Sequence, residues 1–409
     1  MKSTVQTNFF TPLLSVLILI LSFNQGIAQT NLSHEKNVLE ISNQLKWSER
    51  MALTLMKSHP NSYNIDDAKA PHWDYVHGLV LYAFEQLYKE KKDEKYATYI
   101  KQYADDLIDS EGGIKTYQFE SFNIDNIVAG RLLFDLYNKT QDKRYLIAMQ
   151  TLRKQLEEQP RTASGGFWHK KIYPNQMWLD GLYMGSPFYA QYTTVFENGK
   201  NLNDVAKQFE FIQLNAIDYK TGLLYHAWDE NKKMPWADKT TGTSPNFWSR
   251  SMGWYAMALV DVLDFFPENH PNKKVLIGYL NDLANALVKF QDASGLWYQV
   301  TDMGGREGNY LETSGTSMFA YAFAKGVNKG YLPKKFKKSA KKAFNGLTSK
   351  YITVHTDGQI VITNACAVAG LGGNPYRDGS YEYYINERRK DNDPKVTGPF
   401  ILAALELNK

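Results

Sequence analysis

Two aspartates stand at matching places in the chain. Asp125 lies in Ser121-Phe122-Asn123-Ile124-Asp125-Asn126, and Asp180 lies in Met177-Trp178-Leu179-Asp180-Gly181. Each falls at or near the start of a segment with helical character. Carboxylates that face each other repel, and one pKa rises until that group holds a proton near neutrality, as general acid–base chemistry needs. The apolar neighbours Met177, Trp178 and Leu179 push Asp180 the same way by desolvation, whereas a helix N-terminus favours the anion. The residues alone leave that contest open. Helix N-capping is the structural alternative for both aspartates.

Cations and indoles recur in the equivalent loops. His169 and Lys170 precede Asp180, His226 lies in Leu224-Tyr225-His226-Ala227-Trp228, and Arg250 lies in Trp248-Ser249-Arg250-Ser251-Met252-Gly253-Trp254. A guanidinium pairs with a carboxylate through two parallel bonds, and indoles such as Trp178, Trp248 and Trp254 stack on sugar rings. Such a group suits an acidic sugar. Any one of these residues alone reads as ordinary structure; recurrence in successive repeats gives the set its weight.

Positioning these loops requires a repeating helical frame. Apolar residues recur at helical spacing over Val38–Lys57, Val76–Lys92, Tyr96–Ile108, Ile124–Asn138, Arg144–Glu157, Leu202–Asn215, Ser251–Phe265, Val275–Phe290, Ser317–Val327 and Phe336–Tyr351. Strand alternation is confined to short pieces such as Gln359–Thr363. A glycine followed by apolar or aromatic residues recurs after every second helix, at Gly113, Gly166, Gly222, Gly295 and Gly358. The spacing holds two helices and two loops, and a left-handed glycine is expected to end each helix. The pattern predicts an all-α fold, an (α/α)6 barrel of six helical hairpins whose inner helices follow the glycine loops; an open solenoid is the alternative. Length alone would allow two or three domains, but no linker breaks the register, so residues 29–409 read as one catalytic domain. Asp229–Asn246 reads as a rim loop beside the site, and the lysine-rich run Lys334–Lys342 as a solvated outer face.

Composition narrows the function. Lys plus Arg is 47 against 43 Asp plus Glu, a formal charge of +4, which excludes a strongly basic nucleic-acid binder and an acidic disordered chain. Cys366 is the only cysteine, so neither an intrachain disulfide nor a cysteine zinc cluster is available. The sequence lacks a phosphate loop, a His-Glu-x-x-His motif and a Gly-x-Ser-x-Gly elbow. His72 and His77 stand at no usual metal-ligand spacing, and Gly370-Leu371-Gly372-Gly373 has no strand–helix unit around it. Neither metal nor cofactor is expected. Met1 and Lys2, the apolar run Leu13–Phe23 and the small residues Gly26-Ile27-Ala28 form the plan of a signal peptide over residues 1–28, too short for a spanning helix of about 20 apolar residues. No lipid-anchoring cysteine follows it. The expectation is an exported, periplasmic protein without a membrane anchor.

The segment Trp168-His169-Lys170-x-x-Tyr173-Pro174-x-Gln176-Met177-Trp178-Leu179-Asp180-Gly181-Leu182-Tyr183-Met184 resembles glycoside hydrolase family 105, the unsaturated rhamnogalacturonyl hydrolases. Trp248–Trp254, Cys366–Gly373 and Trp73-Asp74-Tyr75-x-His77-Gly78 resemble further motifs of that family, which is related to family 88, the unsaturated glucuronyl hydrolases. The resemblance implies removal of a 4,5-unsaturated uronic acid from the non-reducing end of a lyase-generated oligosaccharide. It implies that Asp180 protonates the ring alkene at C4 and helps water add at C5, and that Asp125 tunes it. Tyr75, Lys170, Trp178, His226, Trp248, Arg250 and Trp254 match substrate-contacting positions, with His169 beside them. The expected partner is such an oligosaccharide, its uronate linked to rhamnose as in pectic rhamnogalacturonan or ulvan. Competing readings are a conventional inverting or retaining glycosidase using Asp125 and Asp180, a polysaccharide lyase with Tyr225 or His226 as base, and a non-catalytic sugar-binding protein.

Overall fold

Asp74, Asp93, Asp142 and Asp393 each precede a helix, and their carboxylates accept a hydrogen bond from a backbone N–H of its first turn. These caps satisfy donors that the helix itself leaves unpaired. The computed structural model describes residues 40–409; the expected signal peptide lies outside the described residues. In chain order the helices are α1 (Trp47–Ser58), α2 (Tyr75–Lys91), α3 (Glu94–Leu107), α4 (Leu132–Thr140), α5 (Lys143–Glu158), α6 (Leu179–Phe196), α7 (Leu202–Asn215), α8 (Ser249–Val262), α9 (Pro271–Leu287), α10 (Thr313–Asn328), α11 (Lys335–Lys350), the short α12 (Tyr381–Asn386) and α13 (Pro394–Leu407). A 3₁₀ stretch, Ile124–Arg131, runs directly into α4.

The packing closes a ring. Its inner wall runs α2, the Ile124–Thr140 segment, α6, α8, α10 and α13, and α13 packs back on α2. That last contact makes a barrel rather than an open solenoid. Around it α3, α5, α7, α9 and α11 each cover the inner helix that precedes or adjoins them, and α1 covers α13. The two ends of the described chain therefore complete the same hairpin. Exposed lysines 334, 335, 338, 341 and 342 lie on or beside the outer helix α11, as its sequence suggests.

Two inner helices, α6 and α13, escape the periodicity reading. Every residue of α8 is buried, as is nearly all of α10 and α13 and most of α6. A helix with little exposed face shows a weak apolar stripe, although α8 and α10 keep enough of one to be read. Pro187 and Pro399 inside α6 and α13 hide them further. At the other end of the chain α1 begins at Trp47, because residues 41–46 form turns and an extended contact in which Ile41 N–H donates to Asp357 O at 3.0 Å. The Ile124–Arg131 stretch is 3₁₀ where a regular α-helix is expected.

The recurring glycines act one step later than helix termination. Gly112, Gly165, Gly222, Gly295 and Gly358 have φ between 78° and 111°. Each closes a tight turn after its helix has ended; Gly112 N–H, for instance, donates to Asp109 O at 3.1 Å. In the first two pairs the leading glycine is the left-handed one, so Gly113 and Gly166 are not. Gly358, at φ 80°, leaves 1.8 Å between a would-be Cβ and Ile41 O. Gly358→Ala is expected to destabilise the chain by at least about 2 kcal/mol, since a left-handed alanine and a backbone clash add. Urea unfolding checks this.

Polar side chains fill the barrel axis. Arg131, Asp261 and Lys325 meet there with Tyr82, Tyr183 and Tyr321; Asp261 contacts Arg131 at 2.9 Å and Lys325 at 2.7 Å, and the Tyr321 hydroxyl donates to it at 2.7 Å. The described residues, 40–409, belong to one compact unit, and no helix among them is long and apolar enough to cross a membrane.

Candidate active site

The inner helices bring their N-terminal ends to one mouth. Tyr75 opens α2, Asp125 opens the 3₁₀ stretch, Asp180 lies in the first turn of α6, Arg250 in that of α8 and Lys395 in that of α13. All five line one cleft of about 580 Å³, together with His169, Lys170, Tyr173, Trp178, Met184, Trp248, Trp254, Val368, Ala369 and Arg377. Helix N-termini carry partial positive charge, so the converging ends favour an anion.

A strand pair joins the second half of the site to the first. β1 (Gln176–Trp178) pairs antiparallel with β2 (Ala227–Asp229), with Trp178 opposite Ala227. Leu179 N–H donates to His226 O at 3.1 Å. This register sets His226 behind Asp180, with Nε2 3.2 Å from Oδ2. The distance suits a hydrogen bond but the angles do not, and both atoms are buried without a directed partner. The two atoms are close enough to share a proton, with no room for a water between them. His226 is fully buried and holds its other nitrogen 2.8 Å from the Tyr384 hydroxyl. It acts on Asp180 and does not line the cleft.

The two aspartates occupy different electrostatic settings. Burial pulls the Asp125 carboxyl upward, but Lys170 Nζ at 2.7 Å and His169 Nε2 at 3.1 Å outweigh it and hold the group well below the usual carboxylate range. Asp125 is therefore ionised. Neither aspartate is an N-cap: Asn123 caps the 3₁₀ stretch, its side-chain oxygen accepting from Asp125 N–H, while Trp178 precedes α6 without a capping bond. The stretch around Asp125 thus leaves its carboxylate free for Lys170 and His169. Lys170→Met is expected to move the Asp125 carboxyl upward and to lower kcat/KM about 10- to 100-fold, the usual cost of a lost charge-assisted hydrogen bond. A pH profile of kcat/KM checks it: the acid limb moves to higher pH.

The opposite wall is cationic. Arg250 is 1% exposed; its guanidinium donates to the carbonyls of Cys366 and Ala367 and to Ser314 Oγ, and lies 4.8 Å from the Trp248 ring centre. Among the described residues it has no carboxylate partner. Burial and the neighbouring Arg250 charge push the Lys395 ammonium down against the pull of Asp393. Arg377 donates to Gly372 O, Leu371 O and the Tyr173 hydroxyl. A Cβ on Gly370 would stand 2.4 Å from the Arg377 guanidinium, so the glycine run serves to wrap that side chain. Burial and Asp74 push the Tyr75 hydroxyl far up, so Tyr75 serves as a neutral donor.

Aromatic stacking builds the remaining wall. Trp178 stacks on His169 at 4.7 Å and on Tyr173 at 4.9 Å, and Trp254 contacts Tyr75 at 6.3 Å and Tyr183 at 4.9 Å. Nine of the ten residues chosen from sequence line the cleft, the tenth being His226. The sequence reasoning missed Tyr173, Tyr384, Arg377 and Lys395. Asp393-Pro394-Lys395 carries a helix-start signal that could have placed Lys395; nothing local marks Arg377 or Tyr384. The Asp229–Asn246 loop does not line the cleft. Its Trp236 packs behind Trp178 with Ala227 and Leu371, and residues 365–390 form the cleft edge instead. Tyr225 lies in a separate depression with Tyr219 and Trp236, away from the cleft, which removes it as the base of a lyase acting there.

Comparison with known proteins agrees with this geometry. The family description "Glycosyl Hydrolase Family 88" matches residues 47–409. A family 105 glycoside hydrolase of C. acetobutylicum is 45% identical, with a TM-score of 0.85 over 89% of this chain and 99% of its own. Unsaturated rhamnogalacturonyl hydrolase YesR of Bacillus subtilis is 28% identical over 256 residues, 61% of this chain and 70% of its own length. The unsaturated glucuronyl hydrolase of Bacillus sp. GL1, 11% identical with a TM-score of 0.64 over 88% of this chain and 95% of its own, shares the helical barrel. The chain belongs to Glycosyl Hydrolase Family 88 and is a glycoside hydrolase of the group that holds the unsaturated rhamnogalacturonyl and glucuronyl hydrolases.

Proposed function

We propose that this enzyme removes a 4,5-unsaturated uronic acid, linked to rhamnose, from the non-reducing end of oligosaccharides released by polysaccharide lyases. The observation that carries the reading is the pairing of Asp180, whose Oδ2 has no directed partner beside His226, with a buried Arg250 that has no carboxylate partner among the described residues. The first supplies a proton relay and the second a seat for the uronate.

In this reading the sugar carboxylate lies toward Arg250 and Lys395, and the ring stacks on the indole wall. Asp180 gives its proton to C4 of the enol ether, leaving positive charge shared by C5 and the ring oxygen. The ionised Asp125 stabilises that charge. Water adds to C5, returning a proton to Asp180. The resulting hemiketal opens by breaking the C5–ring oxygen bond, and the hemiacetal at C1 then releases the aglycone alcohol. One water is consumed and Asp180 ends as it began. No bond to the anomeric carbon is attacked by the protein. Residues 1–28 would carry the chain to the periplasm, where lyase products arrive.

Loss of ultraviolet absorbance by the conjugated uronate tests the substrate. Lyase-generated oligosaccharides from pectic rhamnogalacturonan and ulvan are expected to lose absorbance, and a glycosaminoglycan digest to lose it slowest. Absorbance that stays constant on both rhamnose-linked substrates overturns the reading, and a rise on intact polymer identifies a lyase.

A further inference from the structure

Beside the mouth, outside the residues that line the cleft, three potential ligands converge from the connection between α1 and α2. His72 Nε2 lies 3.1 Å from Asp66 Oδ2, and His77 Nε2 lies 3.7 Å from Asp66 Oδ1. One nitrogen or oxygen from each of the three falls within 4.8 Å of the others. The same His77 nitrogen donates to the Tyr63 carbonyl oxygen at 2.7 Å, a proton that a bound cation would replace. The set thus holds two nitrogens and two kinds of oxygen. Donors bound at about 2.0–2.2 Å around a tetrahedral zinc ion stand about 3.4 Å apart, and the observed separations bracket that value.

Three further features favour an ion over a plain hydrogen-bond cluster. The two imidazoles are perpendicular, with centres 5.0 Å apart, and each brings its Nε2 toward the Asp66 carboxylate. The other nitrogen of His72 lies 3.3 Å from Ala70 O, an outer contact that places the proton there and leaves Nε2 its lone pair. Among the described residues, no lysine or arginine pairs with the Asp66 carboxylate; Lys390 reaches Asp67 instead, at 2.7 Å. The carboxylate itself therefore faces two imidazoles, while the Lys390 ammonium, paired with Asp67, lies 3.5 Å from the Asp66 backbone carbonyl. Sequence spacing hides the set because His72 and His77 are five apart and the third ligand comes from the preceding turn.

We propose that Asp66, His72 and His77, with the Tyr63 carbonyl, form a zinc-type divalent-cation site that ties residues 62–74 to the first turn of α2. The tie bears on the mouth because the same segment carries Tyr75. Trp73 Nε1 donates to Asn126 O at 2.7 Å, and the Tyr103 hydroxyl donates to His72 O at 3.1 Å, so the segment is already laid against the Asp125 stretch. The site rests on its own geometry and not on the reaction assigned above.

The test is zinc chloride titration of untagged, chelator-treated protein by calorimetry, with elemental analysis after dialysis and calcium chloride as a second probe. About one zinc per chain, no calcium binding and a raised melting temperature with zinc are expected. His72→Ala and Asp66→Asn, each confirmed as folded by circular dichroism, are expected to weaken zinc binding more than about tenfold. His355→Ala, on the distant 352–362 hairpin, is expected to bind as wild type. Absence of stoichiometric zinc in the wild type overturns the proposal, as does zinc bound equally by His72→Ala and Asp66→Asn.

Discussion

Asp180→Asn is expected to lose about 10⁴-fold in kcat while keeping its affinity for the unsaturated oligosaccharide within about threefold. In the proposed reaction one carboxyl serves both half-reactions, delivering the proton to C4 and taking one from water, so the amide would fail at both. The upper end of the usual range for acid–base groups therefore applies. The fold has no reason to suffer: Asp180 caps nothing, and its Oδ2 makes no directed hydrogen bond. Single-turnover kinetics with calorimetric binding checks this. A variant that keeps more than about a tenth of wild-type kcat would move the proton transfer to another group.

Asp261→Asn is expected to destabilise the barrel by about 3–5 kcal/mol without touching the mouth. Asp261 is fully buried between Arg131 and Lys325 and takes the Tyr321 hydroxyl as a third donor. Among the described residues, the amide would leave Arg131 with no carboxylate partner and Lys325 with Asp264, at 2.7 Å. Burial raises the Asp261 carboxyl, but Lys325 and Arg131 outweigh it and hold it below the usual range. The sign follows. A depressed carboxylate contributes its full stability above its unfolded value, and loses it as pH falls through the folded value. Wild type is therefore expected to lose stability steeply in acid, and Asp261→Asn to show a shallower acid limb from a lower start. Urea unfolding at several pH values measures both; a loss under about 1 kcal/mol would mean that the axial network is dispensable.

The legibility of this protein in its sequence follows burial. Outer helices such as α3 and α11 face water on one side, so their stripe is visible and their limits are close to those expected. The inner helices α6 and α13 are largely buried and contain proline, and periodicity passes over them, whereas α8 and α10, buried as deeply but without an internal proline, are read. The barrel was still inferred, because the glycine turns repeat with the hairpins whatever their helices look like. Among site residues, those carried on first turns of inner helices, Asp125, Asp180 and Arg250, were readable from position and type. Arg377 and Tyr384 come from the 365–390 excursion, whose path depends on contacts with residues about 150 to 200 positions away in the chain, such as Tyr384 with His226 and Arg377 with Tyr173. No local pattern encodes that. The role of the Asp229–Asn246 loop was misplaced for the same reason: it looks like a rim loop in sequence and is a buttress for Trp178 in three dimensions.

The claim most exposed to test is that the double bond, not the anomeric carbon, is the seat of reaction. Nuclear magnetic resonance of the released sugar after turnover in deuterium oxide reads it directly. Protonation of the alkene by Asp180 predicts a product with no C4–C5 double bond and one deuterium bound to carbon at C4. A released uronate that keeps its double bond and carries no carbon-bound deuterium would contradict the account and return the enzyme to displacement at C1.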